Sequence, residues 1–261
     1  MSSKGSQGLV RQVLAITFDR NANSILTAIK MEAIHVPTRP YPVIDFSNSD
    51  SLETCKIMSD QDMGGFSKAN LDFVPESATE PAHARFQGVI STELPPNRPD
   101  VQRSGYAAWR TRDRPPTLFG KSLWDIDPYS YLALKVKSDG RKYFINIQTE
   151  SIVPTDIHQH RLYAQKPGEW ETVVLSFNEF VRTNHGMVVE PQKDMMKQKV
   201  RSFGIGLIDR MPGPFDLCIA EIYATNDAGG NQVPQGKQGG IDLLSDANSK
   251  KSDDEPEKIL M

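Results

Sequence analysis

Residues 124–147 read WDIDPYSYLALKVKSDGRKYFINI, and the fold turns on how this stretch is parsed. Leu132, Leu134 and Val136 alternate with other residues, and Tyr143, Ile145 and Ile147 repeat the pattern after a Ser-Asp-Gly-Arg corner. A period of two marks a half-buried strand, because successive side chains leave opposite faces of the pleat. Asp139-Gly140 tolerates the positive φ of a tight turn, so the spacing predicts a β-hairpin with both apolar faces in one core. Each large apolar side chain buried there contributes about 1.5–3 kcal/mol, which makes the stretch a substantial part of the interior.

The same period recurs on either side. Val43–Phe46 reads as a first strand, followed by cap-type residues in SNSDSLETC. Ala69, Leu71 and Phe73 alternate with polar neighbours, as do Phe86, Gly88 and Ile90, and Tyr106 with Ala108. Val173/Leu175/Phe177, Phe203/Ile205/Leu207 and Phe215/Leu217/Ile219 follow. Eight or nine short strands separated by turn residues, without sustained helical periodicity, predict an all-β antiparallel sandwich or jelly roll.

The expected domain is 43–225. Before it, three prolines in 33–42 (Pro37, Pro40, Pro42) fix φ and remove donors, the mark of an extended linker. Residues 1–32 carry an amphipathic helical stripe through Leu9, Val10, Val13 and Leu14, with Lys4 and Arg11 and no acid before Asp19. Three readings fit: a mitochondrial targeting segment, a helix packed on the domain, and a helix lying on a headgroup layer. After the domain, 226–261 holds seven acids against four bases and is rich in Gly, Gln, Ser and Asp, so it is expected to be a disordered acidic tail.

Composition narrows the chemistry. A formal charge of -3 over 261 residues gives no footing for nucleic acid as the main partner. Two cysteines, Cys55 and Cys218, are too few for a disulfide framework. No apolar run approaches the ~20 residues of a membrane-spanning helix. His158-x-His160 with Asp156 offers two imidazoles on one strand face, but no third ligand is spaced to complete a zinc site. There is no G-x-S-x-G elbow, no Walker loop and no complete G-x-G-x-x-G. No catalytic, metal or cofactor residue is therefore assigned.

Two polar features stand out. Gly64-Gly65 in SDQDMGGFS opens a strand where the backbone must turn tightly or approach something closely. Residues 93–121 carry six bases, Arg98, Arg103, Arg110, Arg112, Arg114 and Lys121, against three acids. They form a candidate docking surface for an anionic partner, a lipid headgroup or an acidic protein, with Leu9 and Val13 as the candidate apolar contact.

Five segments, SDQDMGGFSKANL, RSGYAAWRT, WDIDPYSYLALKVKSDGRKYFINI, PGEWETVVLSFNEF and SFGIGLIDRMPGPFDLCIAEIYA, together resemble the complex I intermediate-associated protein 30 family. The resemblance spans residues 43–225. It implies a galactose-binding-like jelly roll acting as a non-catalytic chaperone for respiratory complex I, without a cofactor. The implied partners are membrane-arm subunits and other assembly factors. The implied place is the matrix side of the mitochondrial inner membrane, in peripheral contact with it. The alternative is a carbohydrate-binding module, which needs coplanar exposed aromatics, Trp109 among them, or a calcium-loaded loop. An NAD(P)-linked enzyme ranks last, since no dinucleotide-binding domain is present.

Overall fold

The structure, a computed structural model, describes residues 39–118, 120–151, 153, 155–229 and 231–232. The helix expected over 1–32, with Leu9 and Val13, lies outside the described residues, as does the tail beyond Gln232. In chain order the strands are β1 (Tyr41–Asp45), β2 (Cys55–Ser59), β3 (Lys68–Val74), β4 (His83–Ile90), β5 (Ala107–Thr111), β6 (Tyr131–Ser138) and β7 (Tyr143–Thr149). They continue as β8 (Asp156–Arg161), β9 (Trp170–Ser176), β10 (Val181–Asn184), β11 (Met187–Val188), β12 (Val200–Leu207), β13 (Gly213–Thr225) and β14 (Asn231–Gln232). Helical structure among the described residues is confined to short 3₁₀ segments, the longest being Ser49–Thr54, capped by the Asn48 side chain.

Two seven-stranded sheets enclose the core. One runs β14-β9-β6-β13-β4-β3, with β1 also on β13; the other runs β11-β10-β8-β7-β12-β5-β2. The long β13 serves two partners on one side, β4 along its first half and β1 along its second. A register shift between Ile219 and Glu221 lets it do so. Phe215, Leu217 and Ile219 face inward before the shift, and Ile222 and Ala224 after it. Only β14, beside β9, pairs in parallel among the described strands. It falls inside the stretch expected to be disordered. β1 likewise starts inside the stretch read as a linker, and its ladder is irregular next to Pro42, which has no N–H to give.

The expected hairpin is not a hairpin. Leu132, Leu134, Val136, Tyr143, Ile145 and Ile147 are all buried in one cluster, as the alternation required. Yet β6 belongs to the first sheet and β7 to the second, so the chain arches from one layer to the other. Four residues join the strands instead of two. Gly140 takes the positive φ (88°), but its N–H donates to Ser138 Oγ at 3.1 Å, and Asp139 N–H donates to Asp216 O at 3.2 Å. Facing a common core is compatible with both geometries. The partners chose: β6 lies between β9 and β13, β7 between β8 and β12.

A second correction concerns β5. Alternation suggested Tyr106 and Ala108 as its inward face, but Ala107, Trp109 and Thr111 point inward, and Tyr106 precedes the strand. Ala108 lies on the opposite face, where it pairs with Gly206. Alanines on both sides of the strand left its phase ambiguous.

Candidate functional site

Asp60 explains the Gly64-Gly65 signal. Its 1% exposed carboxylate accepts four hydrogen bonds, all from two other segments. Ser67 donates through N–H (2.8 Å) and Oγ (2.7 Å), Ser104 through Oγ (2.8 Å), and Gly105 through N–H (2.8 Å). Burial works against the charge, but the hydrogen bonds from Ser67, Gly105 and Ser104 outweigh it and hold the carboxyl below its usual range. Gly64 closes the preceding turn at φ 88°, and a Cβ on Gly65 would stand 2.5 Å from Asp60 Cγ. The close approach is thus made to the protein's own buried charge.

A second clamp joins the arch to the β12–β13 loop. Arg141 donates to Asp209 through Nε (3.0 Å) and Nη2 (2.7 Å), and to the carbonyls of Gly213 (3.1 Å), Pro214 (2.8 Å) and Met211. The Asp209 side chain is 2% exposed, so the pair is close to fully desolvated.

The six candidate bases separate into two groups at opposite ends of β5, a strand of five residues that spans about 13 Å at 3.3 Å per residue. Arg98 and Arg103 precede the strand, and Arg98 is held by Asp100 at 2.8 Å. At the Thr111 end, Arg110, Arg112, Arg114 and Lys121 meet two bases that sequence reading missed, Lys199 and Arg201. Asp113 accepts from Arg110 (3.1 Å) and Arg201, and Arg201 is the main reason its carboxyl is held below the usual range. Glu150 accepts from Lys121 (3.0 Å), which lowers it likewise, and lies 3.8 Å from Lys199. Arg112 donates to Glu53 O, and Arg114 lies over the Trp124 ring at 5.2 Å. The backbone bridge between Trp124 and Val200 is what brings the β5–β6 connection beside β12. Lys199 and Arg201 are 78 or more positions from Lys121, and no local signal announces that meeting.

Elsewhere among the described residues, titratable groups meet without a reactive arrangement. His158 and His160 share one face of β8, as alternation implied, but that face is interior. Burial lowers both imidazoles, with Arg182 adding to the effect at His158 and the Arg161 carbonyl and Glu179 opposing it at His160. No three His, Cys, Asp or Glu side chains gather as metal ligands among the described residues. A cleft of about 390 Å³ on the outer face of the first sheet is lined by Glu80, His83, Arg85, Lys137, Asp216 and Cys218 among others. Its charges pair off, Arg85 with Asp216 (2.6 Å) and Lys137 with Glu80. Burial pushes the Cys218 thiol up to about 11, which keeps it protonated at neutral pH. Trp109, the ring a sugar platform required, is 0% exposed and packs edge-on against Phe46.

The model of the family described as Complex I intermediate-associated protein 30 (CIA30) matches residues 44–219. The chain belongs to this family. A Neurospora crassa protein named "Complex I intermediate-associated protein 30, mitochondrial" is 49% identical over 217 residues, 76% of this chain and 78% of that one. The Drosophila melanogaster protein of the same name is 29% identical over 183 residues, covering 68% of this chain and 60% of its own length. Among solved structures, a family 11 carbohydrate-binding module of a Clostridium thermocellum cellulase aligns with 77% of the chain and 99% of its own, at TM-score 0.48 and 14% identity. That likeness carries nothing about ligand.

In this CIA30 chain the resemblance-bearing segments are largely structural. Asp60, Ser67, Ser104 and Gly105 tie SDQDMGGFS to RSGY, and Arg141 and Asp209 tie SDGR to LIDRMPGPF. In PGEWE the Glu171 carboxylate accepts from the N–H groups of Gln165 and Lys166 at 3.1 and 3.0 Å.

Proposed function

We propose that the chain is a non-catalytic assembly factor for mitochondrial respiratory complex I that binds membrane-arm intermediates. The observation that carries this reading is the 49% identity, over most of both chains, to a protein named for association with complex I intermediates. The geometry supports it: the motif side chains described above are spent on clamping a rigid sandwich, and the charged groups left at the surface offer contacts instead of a reaction centre. Its place is the matrix side of the inner membrane, in peripheral contact, and the six bases with Leu9 and Val13 supply candidate partner contacts.

Native separation of mitochondrial membranes with and without the chain tests this. A stalled membrane-arm intermediate in its absence is the expected result; normal complex I would overturn the proposal.

A further inference from the structure

We propose that the β5–β6 connection is a membrane-contacting tip, with Leu118 entering an anionic phospholipid surface and the surrounding bases meeting its phosphates. This rests on the reading of the chain as peripherally membrane-associated, and names the element that makes the contact.

The loop is built to present its tip. Thr117 N–H donates to Gly120 O at 2.8 Å and Gly120 N–H returns to Thr117 O at 3.1 Å, closing a tight turn in which Gly120 takes φ +114°. Two exposed prolines, Pro115 and Pro116, stiffen the approach. Leu118 stands at this turn 100% exposed; the next most exposed large apolar side chain among the described residues, Met211, reaches 59%. A leucine exposed to this degree is unfavourable in water and adds little to the fold.

Charge supplies the second half. Around the base of the loop, Asp113 is shared by Arg110 and Arg201, and Glu150 by Lys121 and Lys199. Arg112 and Arg114 are engaged by a carbonyl and a ring, neither of which neutralises them. Glu53, Asp125 and Asp127 flank the cluster, with Gln198 donating to Asp127 and Lys197 beside it, and the balance stays positive. An acidic protein surface would be matched by these cations alone. A protruding leucine beside them suits the boundary between headgroups and acyl chains, which accepts an apolar side chain without a shaped pocket and sets phosphates at its rim.

The test sediments the full chain with vesicles of phosphatidylcholine alone, or of phosphatidylcholine mixed with phosphatidylglycerol. The chain is expected to partition onto the anionic vesicles and to be released by rising salt. Leu118→Ser is expected to weaken that partition about tenfold, since an exposed leucine has only the bilayer to lose. The double variant Lys121→Gln, Lys199→Gln should weaken it and flatten its salt dependence. Melting temperatures of all variants are expected to match the parent. Equal partition of the parent and Leu118→Ser would overturn the proposal, as would a parent that ignores anionic vesicles. A parent that ignores vesicles, with Leu118→Ser stalling a membrane-arm intermediate, would replace lipid by a protein contact. Normal complex I without the chain would sink the assembly reading and leave the vesicle result standing, so the two failures are distinguishable.

Discussion

Asp60 is a carboxylate removed from water and held by four donors from two segments, one 7 positions along the chain and the other 44 to 45. Hydrogen bonds to a charged group contribute more than neutral ones, and an unmatched buried partner costs more still. Asp60→Asn turns one acceptor into a donor facing donors. We expect a loss of about 2–4 kcal/mol, read as a lower urea midpoint at unchanged slope. Because the folded carboxyl titrates below its unfolded value of about 3.9, its contribution is complete above that pH and is lost as acid brings the pH down through the folded value. The buried imidazoles obey the same sign in another window. Their folded values lie below the unfolded value of about 6.5, so the folded state takes up fewer protons on acidification. Melting temperature should fall from about pH 7 to about pH 5.5, and His158→Leu should make that fall shallower. A slope unchanged in the variant would show that His158 is not its source.

At the scale of elements, the β6–β7 arch and the β12–β13 loop meet through Arg141 and Asp209. Removing the arginine leaves a desolvated carboxylate with the Met211 N–H as its remaining donor, and takes the guanidinium from three carbonyls. Arg141→Ala is therefore expected to cost about 3–5 kcal/mol in denaturant unfolding. Gly88 of β4 is a second weak point: a Cβ there would run into the Lys68 carbonyl of β3, so Gly88→Ala should separate that edge and expose its amides to faster hydrogen exchange. The arch also marks a limit of local reading. Alternation told correctly which side chains of 132–147 are buried, since burial follows from the pleat. Whether the two strands share a sheet depends on β9, β13, β8 and β12, and nothing in the Asp-Gly corner encodes them.

At the scale of the molecule, motif variants and tip variants should fail differently. Asp60→Asn and Arg141→Ala lower the folded fraction, so complex I should fall with the abundance of the chain and recover at lower growth temperature. Leu118→Ser should leave abundance unchanged. The carbohydrate alternative gives a clear test as well. With Trp109 and Trp124 in the interior, adding soluble β-glucan should leave the melting temperature where it was, whereas a ligand for the native state would raise it.

The candidate site was legible only in part. Arg110, Arg112, Arg114 and Lys121 stand close enough in sequence to be seen as a basic run, and all four do share one end of the sandwich. Arg98 and Arg103 joined that run only because a chain of letters does not show that β5 carries them to the other end. Lys199 and Arg201 were invisible for the converse reason. By itself the sequence determined the strand class and most of the core, because a period of two follows from local backbone geometry, and it determined the family, because the motifs recur together. Only the tertiary structure decided which strands share a sheet, which of two alanine faces of β5 points inward, and which distant charges sit around Leu118. Those are pairings between segments far apart along the chain, and the free energy that selects them does not exist until both segments are present.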